Sequence, residues 1–334
     1  MRDYVLRILR FIQISHFTLH TSHFKMIFSK STLLHLRIPF SIFLMPIFLF
    51  AFSQSEIPNN YTFEKYILNI IIIFISIHIF LYPASNGYNS YFDKDEDSIG
   101  GLEKPPKVEK DLYYAALLFD LVAILLGLLV SVDFAVMLFI YGLISKAYSH
   151  PFIRLKQYPI ISLLTVGFFQ GFFVYVMCFI ALNDFDLYRL FLSVTELHKV
   201  YIEVLSFRLF IPAFLAMFLL FGSYPMTQIY QHKEDSKRGD KTISLLLGIK
   251  GTFYFVGIMF FIANLGFLGY FYYLEDFTSL IIFEVCLLPI LAYFTYWFML
   301  VGKDEKNANF QHTMRLNVLS SICMSIAFLL MKFI

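Results

Sequence analysis

The chain has 334 residues, of which 59% are hydrophobic and only 15% are charged, whereas soluble globular domains are about 45–50% apolar. The mean hydropathy of +0.70 excludes an ordinary soluble domain and places most of the chain in lipid. A formal net charge of +2 gives no basis for nucleic-acid binding. The three cysteines lie in apolar runs without paired spacing, which argues against a disulfide framework or a zinc site.

Long apolar runs recur along the whole chain. A membrane-spanning helix needs about 20 mostly apolar residues. Runs of this kind cover residues 34–53, 65–84, 112–130, 132–147, 159–182, 206–226, 251–273, 279–300 and 314–333. The pattern predicts an all-α, polytopic membrane helix bundle of about nine transmembrane helices joined by short loops.

The basic residues are distributed unevenly between the loops. With a cytoplasmic N-terminus, 21 of the 26 Lys and Arg residues fall on the cytoplasmic side, as the positive-inside rule requires. We therefore expect a multi-pass protein of the cell inner membrane with its C-terminus outside. Residues 1–33 are predicted to form a cytoplasmic or amphipathic extension, and residues 34–334 the transmembrane domain.

The first polar stretch, residues 86–97, follows the second apolar run and reads NGYNSYFDKDED. Asn89, Asp93 and Asp97 are spaced at i, i+4 and i+8, which predicts that their side chains stack on one helical face. Stacked carboxylates repel one another without a cation, and oxygen ligands favour a hard cation such as Mg²⁺. The alternative is a solvated acidic helix end, but carboxylates at the mouth of a membrane bundle are usually functional.

The second polar stretch, residues 228–242, ends another helix on the same side. Gln228, Gln231 and Asp235 are spaced at i, i+3 and i+7, on one side of a predicted helix. Lys233, Lys237, Arg238 and Lys241 surround this stretch with positive charge that suits the oxygens of a diphosphate. Each basic loop alone could serve only topology, but together with both acidic stretches they predict a diphosphate site.

From about residue 34 to the C-terminus, these features resemble the UbiA superfamily of intramembrane aromatic prenyltransferases. Asn89, Asp93 and Asp97 match its first motif, NDxxDxxxD, with Ser90 at the second position. The Arg37-Ile-Pro-Phe segment resembles the arginine-bearing first helix, and YSHPFIRLK resembles the basic loop between helices 4 and 5. The run EDSKRGDKT resembles the end of the second motif, DxxxD, in which Gln231 replaces the first acidic residue.

The resemblance implies a Mg²⁺-dependent enzyme that transfers an isoprenyl group from a polyprenyl diphosphate to an apolar, aromatic or lipid-like acceptor within the membrane. It implies the metal ligands Asn89, Asp93, Asp97 and Asp235. Tyr148 joins these four as a catalytic residue through its aromatic ring. The implied diphosphate-binding residues are Arg37, Lys94, Arg154, Lys156, Gln231, Lys237 and Arg238. Because Gln231 adds no charge, the resemblance leaves open whether one or two ions bind.

Two other functions stay open at this point: a catalytically inactive relative, and a membrane transporter or scaffold. Transporters usually place their polar groups near the midplane of the membrane. Here most charges lie at the cytoplasmic helix ends, which favours an enzyme acting on a charged headgroup. The acceptor is not fixed, since a quinone-precursor ring, a carotenoid end, a haem vinyl group or a lipid headgroup would each suit so apolar a bundle.

Overall fold

The computed structural model describes residues 28–185 and 199–334. Within these ranges the regular structure is helical, and the only β feature is an isolated bridge between Ile99 and Leu102. Most of the predicted N-terminal extension, residues 1–27, lies outside the described residues. The remainder of it already belongs to the first helix, which begins at Lys30 and is capped by the Ser29 side chain.

Thirteen α-helices are described. They are α1 (Lys30–Leu36), α2 (Met45–Ser53), α3 (Phe63–Phe74), α4 (Tyr82–Asp93), α5 (Asp111–Leu128), α6 (Val132–Ser149), α7 (Pro159–Val166), α8 (Val174–Leu182), α9 (Lys199–Gln228), α10 (His232–Arg238), α11 (Ile243–Tyr273), α12 (Phe277–Lys303) and α13 (Phe310–Phe333). Short 3₁₀ segments cover Ile38–Leu44, Leu155–Gln157 and Glu305–Asn307, and π-helical segments cover Ile75–Leu81 and Gly167–Phe173.

These helices form nine candidate membrane spans in the described ranges, as the sequence predicts. Spans 1 to 9 are Lys30–Ser53, Phe63–Asp93, Asp111–Leu128, Val132–Ser149, Pro159–Leu182, Phe207–Gln228, Ile243–Tyr273, Phe277–Lys303 and Phe310–Phe333. Span 2 continues nine residues beyond the predicted end at residue 84. Its last turns are polar because they face the interior of the bundle rather than lipid.

Span 1 is interrupted at Arg37, which the sequence places near the start of a single helix. Helix α1 ends there, because Arg37 adopts a left-handed conformation with φ of 50°. A 3₁₀ segment follows, with Pro39 near its start, where the missing N–H of proline is tolerated. Arg37 is therefore a helix cap between two helical segments, and its guanidinium points into the bundle.

An aromatic cluster of the hydrophobic core lies where spans 1, 7, 8 and 9 meet. Phe50 stacks on Phe328 with ring centroids 4.6 Å apart, and Phe267 stacks on Phe283 at 4.1 Å. All four side chains are almost completely buried. Such offset ring pairs add packing energy beyond area burial, so this cluster anchors the first and last spans to each other.

Spans 5 and 6 approach each other closely at Gly171. A Cβ atom at this position would lie 2.7 Å from the Cα atom of Met217, closer than any real side chain allows. Gly171 belongs to the π-helical segment Gly167–Phe173, and π-helical insertions often occur at functional sites. The close contact between Gly171 and Met217 holds span 5 against span 6 and so fixes the position of the span 5 side chains that line the interior.

Candidate functional site

A cavity of about 360 Å³ opens inside the bundle, a size typical of small-molecule sites. One end is polar and is called here the mouth. Its charged lining residues are Arg37, Asp93, Asp95, Lys156, Asp235, Arg238 and Asp240. Deeper in the bundle the wall is mainly apolar, with residues such as Ile47, Phe169 and Phe294. The cavity therefore combines a highly charged entrance with a hydrophobic interior.

The mouth lies at one face of the bundle because successive spans reverse direction. Arg37 lies near the start of span 1, and the other charged residues come from the end of span 2 and from the connections after spans 2, 4 and 6. All of these segments belong to the face that the distribution of Lys and Arg predicts as cytoplasmic. The structure thus brings both acidic stretches and the basic connection to one place.

Asn89 and Asp93 share a lysine in this structure. The Asn89 carbonyl oxygen accepts hydrogen bonds from Ser149 Oγ at 2.7 Å and from Lys156 Nζ at 3.0 Å. The same ammonium group contacts both carboxylate oxygens of Asp93. Lys156 is only 7% exposed. A protein cation therefore occupies the position between Asn89 and Asp93, where the sequence predicts that a cation is needed.

The predicted stacking of Asn89, Asp93 and Asp97 on one helical face is wrong for Asp97. Helix α4 ends at Asp93, because Lys94 adopts a left-handed conformation with φ of 51° and turns the chain. The Asp97 side chain is 57% exposed, and its carboxylate lies 3.9 Å from Lys233 Nζ. Lys94, predicted to bind diphosphate, is exposed and does not line the cavity.

Asp95 lies in the mouth instead, although the helical spacing points it to another face. Its carboxylate is paired with the guanidinium of Arg238, and both side chains are largely buried. The left-handed turn at Lys94 brings Asp95 inward. The only sequence signal was the density of carboxylates in the run DKDED, which does not say which of them turns inward.

The second polar stretch is also not one continuous helix. Helix α9 ends at Gln228 and α10 begins at His232, so the predicted i, i+3, i+7 face is not formed. Gln228, Gln231 and Asp235 nevertheless all line the cavity. Gln231 donates a hydrogen bond from Nε2 to the carbonyl oxygen of Ser98 at 3.3 Å, which joins the second polar stretch to the first.

Asp235 is a buried carboxylate with an incomplete set of partners. Its Oδ1 accepts a hydrogen bond from Arg238 Nη2 at 2.5 Å, whereas Oδ2 is buried without a hydrogen-bond partner among the described residues. Burial, together with the negative charge of Asp240, raises the pKa of Asp235 to about 7, and the charge of Lys156 opposes this rise. The raised pKa therefore reflects burial first and the neighbouring carboxylate second, at a residue whose Oδ2 atom is left without a partner.

Asp240 completes the mouth, and the sequence analysis missed it. Gly239 ends helix α10 with φ of 77°, a left-handed conformation that glycine adopts without steric cost. The turn buries Asp240, which accepts hydrogen bonds from Arg154 Nε and Nη2, both at 2.8 Å, and from Arg238 Nε at 3.2 Å. Burial alone disfavours a charged Arg154, but the hydrogen bonds and charge of Asp240 outweigh it and raise the pKa of Arg154.

Arg37 and Tyr148 lie in the cavity wall as predicted. Arg37 donates from Nη1 to the carbonyl oxygen of Gly100 at 3.1 Å and from Nη2 to that of Asn86 at 3.2 Å. Its Nε is buried without a partner among the described residues, so one donor is free for a ligand. The Tyr148 hydroxyl lies 2.5 Å from that of Tyr224.

The predicted site residues thus divide into two groups. Those in the cavity wall are Arg37, Asn89, Asp93, Tyr148, Lys156, Gln231, Asp235 and Arg238, and those outside it are Lys94, Asp97, Arg154 and Lys237. Arg154 still contacts the mouth through Asp240. Lys237 does not, because it is 54% exposed and bonds to Glu234 in its own helix at 2.6 Å.

The chemistry of the mouth fits a hard divalent cation. Within the described parts of the chain, no three His, Cys, Asp or Glu side chains are already arranged to hold a metal ion. The available donors are nevertheless all oxygens, from Asn89, Asp93 and Asp235, and the Oδ2 atom of Asp235 is unpartnered. Oxygen donors of this kind are those that Mg²⁺ prefers.

Comparisons with known proteins agree with this architecture. The UbiA homologue from Aeropyrum pernix K1 superposes with a TM-score of 0.62 at 17% identity, over 88% of this chain and 98% of that one. A UbiA homologue from Archaeoglobus fulgidus, solved with GPP and Mg²⁺, gives 0.58 at 15% identity, over 91% and 100%. At these identities the likeness shows the fold. No curated protein matches the sequence.

The sequence itself matches the model of the UbiA prenyltransferase family over residues 43–319. This range includes both polar stretches and the basic connection between spans 4 and 5. The match covers most of the chain, and the nine spans and the position of the cavity are consistent with it. The chain belongs to the UbiA prenyltransferase family.

Proposed function

We propose that this protein transfers an isoprenyl group from a polyprenyl diphosphate to a hydrophobic acceptor within the membrane, in a Mg²⁺-dependent reaction. One observation carries the proposal: a single cavity joins a mouth rich in carboxylates and cations to a mainly apolar interior. A diphosphate with a hydrocarbon tail has the same division of polarity. The solved UbiA homologues from Archaeoglobus fulgidus that hold GPP or DMAPP together with Mg²⁺ support this proposal.

The cations of the mouth would bind the diphosphate. Arg37 offers its unpartnered Nε, and Arg238 and Lys156 line the same wall. Charge-assisted hydrogen bonds from these groups would grow stronger as negative charge develops on the leaving diphosphate. Because the unpartnered Nε of Arg37 is already buried in the mouth before the reaction, this residue needs little reorganisation when the allylic C–O bond breaks.

The oxygens of Asn89, Asp93 and Asp235 would hold Mg²⁺. The motif NDxxDxxxD adds Asp97 as a fourth ligand. Asp97 lies at the rim and would have to turn inward to contribute. When bound, the metal neutralises the leaving diphosphate. For Asn89 and Asp93 to become ligands, the ammonium of Lys156 must move away from them, and it would then be free to contact a diphosphate oxygen.

Tyr148 would help to stabilise the allylic cation that forms when the diphosphate leaves. Its ring lines the cavity and its hydroxyl is held by Tyr224 and by Ser162, at 3.0 Å. A fixed aromatic ring can attract a cation through its face. The surrounding apolar wall excludes water, which would otherwise capture the cation instead of the acceptor.

The proposed orientation places the mouth at the cytoplasm and the C-terminus outside. It is supported by the excess of Lys and Arg on the mouth side and by the odd number of spans in the described ranges. A topology reporter fused after Lys241 should then be cytoplasmic and one after Ile334 external. An external signal at Lys241 would reverse the assignment.

A transfer assay tests the function directly. The purified protein in detergent is incubated with Mg²⁺, labelled geranyl diphosphate and a total lipid extract as the source of acceptor. Labelled product should form with the wild-type protein and be absent with Asp93→Ala, which removes a central carboxylate; the elution volume of both proteins in size-exclusion chromatography checks that the variant is folded. If the wild-type protein neither binds geranyl diphosphate nor forms product, the proposed function is wrong.

A further inference from the structure

Four polar side chains of spans 2, 4 and 5 lie together in the deeper part of the cavity wall. This polar belt consists of Tyr82, Ser85, Tyr141 and Gln170, from spans 2, 4 and 5, and all four line the cavity. The rings of Tyr82 and Tyr141 are 5.9 Å apart in an edge-to-face arrangement. The hydroxyl of Tyr141 interacts with both Gln170 and Ser85. The mouth residues are not part of this group.

The belt lies well below the mouth. At the mouth, Asn89 and Ser149 are hydrogen-bonded to each other, and they serve as the reference level. Tyr82 precedes Asn89 by seven residues and Tyr141 precedes Ser149 by eight, which places the belt about 11–12 Å deeper at the rise of an α-helix. A hydrocarbon tail bound in the cavity would pass this level and has no use for polar contacts.

The belt contains an unsatisfied hydroxyl. Tyr82 is 3% exposed, and its OH has no hydrogen-bond partner among the described residues. A buried hydroxyl without a partner destabilises the folded protein, so a ligand that pairs with it removes that cost. The unpartnered atom belongs to a residue of the cavity wall, where a ligand can reach it.

Both π-helical segments of the described chain occur at this level. Tyr82 directly follows the segment Ile75–Leu81, and Gln170 lies within Gly167–Phe173. A π-helical insertion shifts the side chains that follow it relative to a regular α-helix, and such insertions are frequent at functional sites. Two different spans thus depart from regular helix where they present a polar side chain to the cavity.

The belt is uncharged. Every charged side chain that lines the cavity in the described residues belongs to the mouth. The charged pair beside Tyr141, Asp120 with Lys146, lies behind the wall and is already neutralised, so no lining cation could neutralise a carboxylate or phosphate at the belt. Burying an unpaired anion there would be far more costly than burying a hydroxyl or carbonyl group. The group recognised at the belt must therefore be neutral and able to form hydrogen bonds.

We infer that the polar belt is the recognition site for the acceptor, and that the acceptor is a neutral molecule with a hydroxyl or carbonyl group rather than an aromatic carboxylate. This inference rests on the proposed prenyl transfer and names the chemical class of its second substrate. Gln170 and Tyr82 determine specificity: Gln170 offers both a donor and an acceptor, and Tyr82 its free hydroxyl. The acceptor lies beside the prenyl tail, with its polar group at the belt.

Binding of three matched compounds tests the inference: 4-ethylphenol, 4-hydroxybenzoate and ethylbenzene. 4-Ethylphenol lacks the carboxylate charge of 4-hydroxybenzoate, and ethylbenzene lacks the hydroxyl group of 4-ethylphenol. The same comparison is made with naphthalene-1,4-diol, its 2-carboxylate and naphthalene. Dissociation constants are measured with the full-length protein in detergent, with Mg²⁺ and the slowly ionising analogue geranyl S-thiolodiphosphate.

In at least one series the neutral hydroxylated compound should bind ten or more times tighter than both its acid and its deoxygenated counterpart. Gln170→Leu and Tyr82→Phe should reduce this preference at least threefold without changing the affinity for the diphosphate analogue. The matched control is Phe168→Leu, in the same π segment but on the lipid-facing side, and it should retain the wild-type preference.

Any of three results would overturn the inference while leaving the proposed function intact. The first is tighter binding of the acid than of its neutral counterpart in a protein that binds the diphosphate analogue. The second is no gain in either series from the hydroxyl group, and the third is an unchanged preference in both belt variants. Failure of the wild-type protein to bind the diphosphate analogue would instead count against prenyl transfer itself.

Discussion

Arg154 and Asp240 form a bidentate ion pair, with Nε to Oδ1 and Nη2 to Oδ2 both at 2.8 Å, although 86 residues separate them in the chain. Asp240 also accepts a hydrogen bond from Arg238, and Nη2 of Arg154 lies 3.5 Å from Asp93 Oδ1. The pair therefore connects the two acidic stretches. The planar guanidinium fixes both the distance and the orientation of Asp240.

Removing either partner of this pair should lower prenyl transfer by at least tenfold. Arg154→Ala leaves the negative charge of the buried Asp240 without its main partner. Asp240→Ala leaves Arg154 and Arg238 without their common acceptor. Either loss of a charge partner is costly. Arg154→Lys should rescue little, because an ammonium cannot make both bonds. kcat/KM for geranyl diphosphate, measured in the single and double variants, gives the coupling energy.

The double variant should be no worse than the poorer single variant, since both single changes break the same contact. Lys237→Ala is the control, because this exposed lysine bonds only within its own helix, and it should stay within about twofold of the wild type. Strictly additive losses in the double variant would show that Arg154 and Asp240 act separately.

Lys156 should compete with the metal ion. Its ammonium contacts the oxygens of Asn89 and Asp93, which are proposed metal ligands. We expect Lys156→Met to bind Mn²⁺, a spectroscopic substitute for Mg²⁺, at least threefold tighter in the absence of diphosphate, and yet to transfer the prenyl group more than tenfold more slowly. Lys94→Met removes the same charge next to Asp93 without losing a contact. Equal Mn²⁺ affinities in both variants would contradict the competition.

The motif and the cavity geometry single out different carboxylates. By its spacing Asp97 is a metal ligand, and we expect Asp97→Ala, like Asp93→Ala, to abolish transfer while membrane insertion stays normal. Asp95 pairs with Arg238, so Asp95→Ala should raise KM for the diphosphate about tenfold through a displaced Arg238 and leave the Mg²⁺ requirement unchanged. Near-normal turnover of Asp97→Ala, together with loss of activity in Asp95→Ala, would reassign the ligand to Asp95.

The spans could be predicted from the sequence because lipid imposes a length and a composition that each run satisfies independently. The site could be predicted only in part. The helical-spacing argument assumes that a helix continues, and it failed at Lys94, where a left-handed residue turns the chain, and between Gln228 and His232, where one helix ends and the next begins. Asp95 enters the mouth through the turn at Lys94, and Asp240 through the left-handed turn at Gly239. Contacts such as that between Arg154 and Asp240 depend on tertiary packing, which local spacing does not encode.

Metal binding should depend on pH through Asp235, whose pKa is raised to about 7. Below that pH the carboxyl holds a proton that a metal must displace, so the Mg²⁺ concentration for half-maximal activity should rise by up to about tenfold per pH unit as pH falls below 7, and level off above it. Asp235→Asn should weaken Mg²⁺ binding above pH 7 and remove this dependence. A pH profile identical to that of the wild type would exclude Asp235 as the titrating group.

The same pKa shift fixes the sign of a stability effect in the metal-free protein. The pKa is raised in the folded state, so between about pH 4 and 7 the folded protein binds more protons than the unfolded chain. Its stability therefore falls as the pH rises through this window, with a slope of up to about 1.4 kcal/mol per pH unit. Thermal unfolding in a chelator should show a midpoint that decreases from pH 4 to 7, and a smaller decrease in Asp235→Asn.

Gln231 occupies the position where the second motif normally has an acidic residue, and its side chain lines the cavity. If it contacts the metal or the diphosphate as a neutral group, Gln231→Asp adds a hard anionic ligand and should lower the Mg²⁺ concentration for half-maximal activity. We expect this result, with the maximal rate maintained. The nearby positive charges of Arg238 and Lys156 offset one additional negative charge at the mouth.

The opposite result is also informative, because the two outcomes differ in sign. In a site adapted to a single metal ion, the added carboxylate would repel the diphosphate and lower the maximal rate. Gln231→Leu removes the hydrogen bond that Gln231 Nε2 donates to the carbonyl oxygen of Ser98 without adding a charge, whereas Gln231→Asp removes the same bond and adds one. Comparing the two variants separates the effect of charge from the loss of that contact. If both variants leave the Mg²⁺ response and the rate unchanged, Gln231 serves only to join the two polar stretches through Ser98.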